Sequence, residues 1–299
     1  MNITLTGSLG NISQGLTEQL TARGHRVTVV SHNPSRAGAI ERLGARPAIG
    51  SVEDRVFLRS AFGSADAVYT MIPPNFGATD IRAYMRTVGD AYADALAQTG
   101  VRYVVNLSSV GAHIPDGPGP TGTNHAIEQQ LNALEATHVL HLRPGMFYTN
   151  FFGNIPMIRD QHIIGNNFDA SVPMALTDPR DIAGAAADAL DKRSFTGKGA
   201  RYVVSDELNG AQVAAILGQA IGHPDLPWVC FPDEALLEGM IQSGLSRDPA
   251  LVYVVEIGIG LRNGKLLEDY HRHRDTALGK TRFSDFAADF AGAYKNSAR

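Results

Sequence analysis

Residues 1–36 read MNITLTGSLGNISQGLTEQLTARGHRVTVVSHNPSR. Residues 2–6 form a β-branched, apolar run that suits a buried strand, and Gly7 and Gly10 interrupt it. From Asn11 to Arg23 the apolar positions Ile12, Leu16 and Leu20 recur every four residues on one helical face. Gly24 stops that pattern where a C-terminal glycine belongs, and Arg26 to Ser31 makes a second strand. Strand, glycine turn, helix and strand in about 30 residues is the unit that holds a dinucleotide pyrophosphate. Glycines let the backbone approach phosphate oxygens, and the helix start offers free N–H groups and partial positive charge. Gly7, Ser8, Leu9, Gly10, Asn11 and Ile12 are therefore the expected phosphate turn. The GxxGxxG spacing ends here in Ser13, a small residue that can still pack helix against strand.

The end of the second strand selects the nucleotide. A free 2′-hydroxyl is usually held by an acid there, whereas a 2′-phosphate requires positive charge and donors. The chain supplies Ser31, His32, Asn33, Ser35 and Arg36 and no acid, which favours NADP(H) over NAD(H), with Arg36 as the phosphate partner beside His32 and Asn33.

Farther along, strands are expected at 46–49, 67–72, 102–107 and 138–142, separated by helices closed at Gly44, near Phe62, at Gly100 and near Ala136. Six strands alternating with helices specify an α/β fold, a Rossmann-like, doubly wound parallel sheet covered on both faces. Pro73 and Pro74 force the chain off the sheet at a strand's carboxyl end, where open α/β folds place ligands. The Gly/Pro-rich loop 111–122 is expected to move rather than to hold a side chain. Beyond residue 150 the regularity loosens, so 1–150 is read as a nucleotide-binding domain. Residues 151–299 are read as a smaller mixed lobe with some segments returning to the first domain.

The chain has 299 residues, a net charge of −4 and 44% hydrophobic residues, which disfavours a nucleic acid bound on a broad basic surface. Cys230 is the single cysteine, so no internal disulfide forms. The N-terminus carries neither a charged leader nor an apolar h-region, and the longest apolar stretch, 250–261, is too short to span a bilayer. A cytoplasmic monomer or homodimer without a membrane partner is the expectation.

Gly7-x-x-Gly10, His32-Asn-Pro34, Ser108-Ser109, Thr123-Asn-His-Ala-Ile-Glu128, Leu142-Arg-Pro-Gly-Met-Phe147 with Asn150 and Phe151, and Asp178 to Ala183 follow one another in this order. Their order and spacing resemble the NmrA-like branch of the atypical short-chain dehydrogenases/reductases, over nearly the whole chain. The resemblance implies a Rossmann domain, a small C-terminal lobe and a substrate cleft between them. Such proteins include NADPH-dependent quinone and dye reductases as well as catalytically silent NADP sensors. It also implies that strand ends supply further cofactor contacts: Ser51, Val52, Met71, Ile72, Pro73, Ser108, Pro144, Gly145 and Met146.

Typical short-chain dehydrogenases use a serine after the fifth strand and a Tyr-x-x-x-Lys on the next helix, where the tyrosine protonates a carbonyl oxygen. Ser108 or Ser109 matches the serine, but residues 110–140 hold no tyrosine or lysine, and Asn124 stands where relatives often have lysine. The candidate catalytic groups are then Ser108 and His125, and His113 is the other titratable donor nearby. The chemistry expected is hydride transfer from NADPH to a small conjugated acceptor of quinone or dye type, which needs no strong acid. Phe147, Tyr148 and Phe151 are the expected aromatic wall for that acceptor. The alternative is a silent NADP(H)-sensing regulator that binds a partner protein. The run His271-Arg-His273-Arg reads as a solvated surface, because residues i and i+2 of a helix face apart.

Overall fold

The structure, a computed structural model, describes residues 1–297. Its first half runs β1 (Asn2–Leu5), α1 (Ser13–Ala22), β2 (Arg26–Ser31), α2 (Ala37–Arg42), β3 (Arg46–Ile49), α3 (Arg55–Phe62), β4 (Ala67–Thr70), α4 (Ile81–Thr99), β5 (Tyr103–Leu107), α5 (Thr121–Asn132) and β6 (His138–Pro144). Local signals set these boundaries. Asp54 and Asp80 accept hydrogen bonds from the first-turn N–H groups of α3 and α4, and Gly100, in the left-handed region at φ 67°, closes α4.

The second half contains β7 (Met146–Phe147), α6 (Ile155–Gln161), β8 (Ile164–Asn166), β9 (Pro173–Thr177), α7 (Pro179–Lys192), β10 (Lys198–Val203), β11 (Asp206–Asn209), α8 (Gly210–Ile221) and β12 (Trp228–Cys230). It ends with α9 (Asp233–Gln242), α10 (Arg247–Ala250), a π-helical turn (Leu251–Val255), α11 (Glu256–Arg262), α12 (Glu268–Arg272) and α13 (Phe283–Asn296).

The main sheet has seven strands in the order β10-β6-β5-β4-β1-β2-β3, all paired in parallel. This is one strand more than the sequence alternation suggested, because β10 returns to pair along β6 at the sheet edge. Helices α1 and α7 cover one face around Leu5, Leu16, Leu20 and Ile182. Helices α3, α4 and α5 cover the other around Leu58, Val88, Leu96 and Ile127. Strand order reverses direction between β1 and β4, and a doubly wound sheet opens its ligand crevice at that switch.

A three-stranded sheet, β11-β9-β7, and a short β12-β8 pair build the second lobe. Asp181, in the first turn of α7, joins this lobe to the sheet: its carboxylate accepts from Ser205 Oγ at 2.6 Å and from the Lys280 and Thr281 N–H groups at 2.8 and 2.9 Å. Burial alone would raise the Asp181 pKa, but these bonds hold it below the usual carboxylate value. Among the described residues no helix is long and apolar enough to cross a membrane.

The Gly/Pro-rich loop is tied to the second lobe and to α4. Gly119 N–H donates to Glu256 Oε2 at 2.8 Å, and Arg82 donates to the Gly119 carbonyl at 3.1 Å and pairs with Glu256. The loop's glycines serve close packing: a Cβ on Gly119 would stand 2.8 Å from the Val252 carbonyl oxygen, and one on Gly111 would stand 2.5 Å from Leu266.

Candidate functional site

The phosphate turn is built as its sequence requires. Gly7 has φ 96°, and a Cβ there would stand 2.7 Å from both Met71 Sδ and Ser13 Oγ, so only glycine fits. Ser13 accounts for the missing third glycine: it is buried at the start of α1 and donates its hydroxyl to the Thr6 carbonyl at 3.0 Å. Gly10 differs from Gly7. It is exposed, and the single atom near its ideal Cβ is the Gly7 carbonyl oxygen at 3.3 Å, so the open side of the turn faces outward.

Helix α1 begins with no side-chain cap, as do α2, α5 and α6. Gln14 N–H is taken by the Gly10 carbonyl at 3.1 Å, while the N–H groups of Asn11, Ile12 and Ser13 make no hydrogen bond among the described residues and form a donor set that suits a pyrophosphate. The turn is tied to both neighbouring strands. Thr6 Oγ1 accepts from Met71 N–H at 2.8 Å, and Ser8 Oγ donates to Ser31 Oγ at 2.9 Å. Asn11 reaches Thr149 Oγ1 at 3.4 Å, and Leu9 and Ile12 pack inward.

At the end of β2, His32 and Arg36 are exposed, and Arg36 forms no ion pair among the described residues. Asn33 uses its carbonyl oxygen to cap the following turn at Ser35 N–H, 2.9 Å away. Ser51 is exposed and Val52 half-buried after β3, and Met71, Ile72 and Pro73 are half-buried after β4. Pro144, the last residue of β6, and Gly145 are buried, and Met146 pairs into the small sheet. A Cβ on Gly145 would stand 2.2 Å from the Ala175 carbonyl oxygen, so this glycine serves the joint between the lobes.

The two serines after β5 face different surroundings. Ser108 is buried and donates to Glu128 Oε1 at 2.5 Å, and Glu128, 2% exposed, is gripped by Arg143 Nε and Nη2 at 3.0 and 2.6 Å. The Ser109 hydroxyl is half-exposed and has no hydrogen-bond partner among the described residues. His125 Nδ1–H donates to the Ala112 carbonyl at 2.9 Å, which fixes the ring. His113 Nδ1 is buried without a partner, and burial pushes this imidazole below its ordinary pKa.

The aromatic wall expected from the sequence is core instead. Tyr148 is fully buried, donates its hydroxyl to the Thr281 carbonyl at 2.8 Å and meets the Phe283 ring edge-on at 5.0 Å. Phe151, 4% exposed, packs on the same Phe283 ring at 5.3 Å. Helix α13 covers both residues, and Phe147 alone of the three is half-buried. The Glu128–Arg143 pair was not foreseen as a pair, although both residues lie in the motifs quoted above. Only the packing of α5 on β6 brings them together.

Comparison with known proteins agrees with this geometry. Residues 7–149 match the family described as NAD(P)H-binding. The chain is 25% identical over 224 residues to the (4-alkanoyl-5-oxo-2,5-dihydrofuran-3-yl)methyl phosphate reductase of Streptomyces griseus, covering 74% of each chain. It is 25% identical over 248 residues to the NAD(P)H azoreductase of Xenophilus azovorans, covering 83% of each. The NADPH-dependent quinone oxidoreductase of Escherichia coli, solved in complex with NADPH, shares the fold at a TM-score of 0.78 and 17% identity, over 96% of this chain and 99% of that one.

Proposed function

We propose that this chain, an NAD(P)H-binding protein of the NmrA-like atypical short-chain dehydrogenase/reductase type, is an NADPH-dependent oxidoreductase that passes hydride to a small conjugated acceptor. One observation carries the reading. The phosphate turn leaves the N–H groups of Asn11, Ile12 and Ser13 free among the described residues, while Ser108 is bound to Glu128 and residues 110–140 hold neither the tyrosine nor the lysine of the usual proton-donating set. When bound, NADPH supplies the hydride. The chain's own contribution is to bind and orient: α1 and the Gly7–Ile12 turn hold phosphates, and Arg36 with His32 and Asn33 meets the 2′-phosphate.

A conjugated acceptor fits the missing acid. Hydride addition to a quinone gives a delocalised anion and to a cationic dye a neutral product, so water can deliver any proton still needed. The similarity to an azoreductase and a quinone oxidoreductase supports this acceptor class. The burial of Tyr148 and Phe151 by α13 favours the second reading, a silent NADP(H)-sensing regulator, because it removes one aromatic surface that an acceptor could use. NADPH oxidation measured across quinones, triarylmethane dyes and enals separates the two. Turnover with any of them supports the reductase, and tight NADPH binding with turnover of none supports the regulator.

A further inference from the structure

Phe76, 54% exposed, is the one exposed phenylalanine, tyrosine or tryptophan among the described residues. A single exposed apolar side chain on an outer helix, such as Val56 on α3, requires no explanation. Phe76 differs in its place and its company. It lies in the loop that leaves β4 after Pro73-Pro74, at the sheet's switch point, and the same loop begins at Met71, which touches Gly7 and is tied to Thr6.

The Phe76 ring stands 6.0 Å from the Tyr253 ring at an interplanar angle of 69°, an edge-to-face pair. Tyr253 is the central residue of the π-helical turn Leu251–Val255, a rare conformation that recurs at functional sites. Tyr253 and Tyr84 both pack on the Ile81, Met85 and Val252 cluster together with Ile72, and neither phenol hydroxyl has a hydrogen-bond partner among the described residues. The loop is held in place. Ser246 N–H donates to the Phe76 carbonyl at 3.3 Å, and Ile81 N–H donates to Asp248 Oδ2 at 2.7 Å.

An open phenyl face, a second ring beside it and two free phenol donors recognise a flat conjugated ring whose oxygens accept hydrogen bonds. The carboxylates of Asp80 and Asp248 at the same loop disfavour an anionic ligand. We infer that Phe76, Tyr253 and Tyr84 form the acceptor's aromatic subsite, taking the part expected of Phe147, Tyr148 and Phe151, and that the acceptor is a neutral quinone. The inference rests on the reductase reading for its place in a reaction. Its test does not depend on turnover.

The test is calorimetric titration of 1,4-naphthoquinone into the protein saturated with NADP+, for the wild type, Phe76→Ala and Tyr253→Phe, with NADP+ affinity measured for each. The subsite predicts about tenfold or greater weakening of quinone binding in Phe76→Ala and roughly 2- to 10-fold in Tyr253→Phe, with NADP+ affinity within about twofold of wild type. Unchanged quinone affinity in Phe76→Ala, loss of NADP+ affinity in that variant, or no quinone binding by the wild type would each overturn the subsite. A wild type that binds naphthoquinone through Phe76 yet reduces no acceptor would remove the reductase reading and leave the subsite standing. Turnover of naphthoquinone with native affinity in Phe76→Ala would do the reverse.

Discussion

Ser108 gives its hydroxyl hydrogen to Glu128 Oε1 at 2.5 Å, on a carboxylate that Arg143 already holds through two nitrogens. Ser108, one of the two serines that match the catalytic serine of short-chain dehydrogenases, is therefore bound into a buried ion pair in this chain. Arg143 also meets Asp269 at 3.3 Å, so removing Glu128 leaves the guanidinium one carboxylate. Glu128→Ala should therefore lower unfolding free energy by somewhat less than the roughly 3–5 kcal/mol of a fully broken buried pair, and Ser108→Ala should cost about 1 kcal/mol. Urea unfolding of the two variants checks this, and equal losses would show that the pair is not the anchor described.

The two turn glycines should fail in different ways. Gly7→Ala forces a side chain into Met71 and Ser13 at a positive φ, so it should reduce stability as well as binding. Gly10→Val meets little protein, and should leave the fold largely intact while blocking the anion side of the turn. Thermal unfolding together with an NADPH titration separates them. A folded Gly10→Val protein with native NADPH affinity would contradict the site.

Arg36 is exposed and free of ion pairs among the described residues, which leaves its guanidinium for a 2′-phosphate. NADPH should bind more tightly than NADH, and Arg36→Ala should remove most of the difference. One charge-assisted contact is worth roughly 1.5–3 kcal/mol, about 10- to 150-fold in affinity. Calorimetry with both cofactors measures it, and equal dissociation constants in the wild type would overturn the assignment.

His141 on β6 is held neutral. Asn106 Oδ1 accepts from the Thr70 hydroxyl at 2.9 Å, so its side-chain amide donates to His141 Nδ1 at 3.1 Å, and His141 Nε2–H donates to Asn132 Oδ1 at 3.0 Å. Burial pushes its pKa down to about 4, with Glu128 opposing the shift and Arg143 and Lys198 adding to it. The unfolded imidazole, near 6.5, binds its proton first. This contribution is therefore fully present above about pH 6.5, and falls by roughly 3 kcal/mol as pH drops to about 4. Denaturant unfolding between neutral and mildly acidic pH should show a steeper loss for the wild type than for His141→Gln, and parallel curves would contradict the burial argument.

The first half of the chain was legible because each of its signals is local. Gly7 and Gly10 punctuate β1, the four-residue apolar period marks α1, and Gly100 closes α4, all within a few residues of the elements they define. The second lobe was not, because its short strands depend on distant partners. Pro173–Thr177 becomes β9 only between β7 and β11, and the β7 strand is two residues long. The candidate site divides in the same way. The phosphate turn could be read from spacing, but burial could not: Tyr148 and Phe76 are both aromatic residues near strand ends, and only packing against α13 makes one core and leaves the other exposed.

The central claim is hydride transfer to a conjugated acceptor without an obligatory protein acid. It is tested most directly by following NADPH oxidation with 1,4-naphthoquinone for the wild type, Ser108→Ala, Ser109→Ala and His125→Ala at saturating cofactor. The account predicts turnover by the wild type and kcat/KM within about tenfold of it in every variant that folds, a barrier change of about 1.4 kcal/mol at most. A loss of about 10³-fold in any one variant with NADPH affinity unchanged would reveal a specific general acid and contradict the claim.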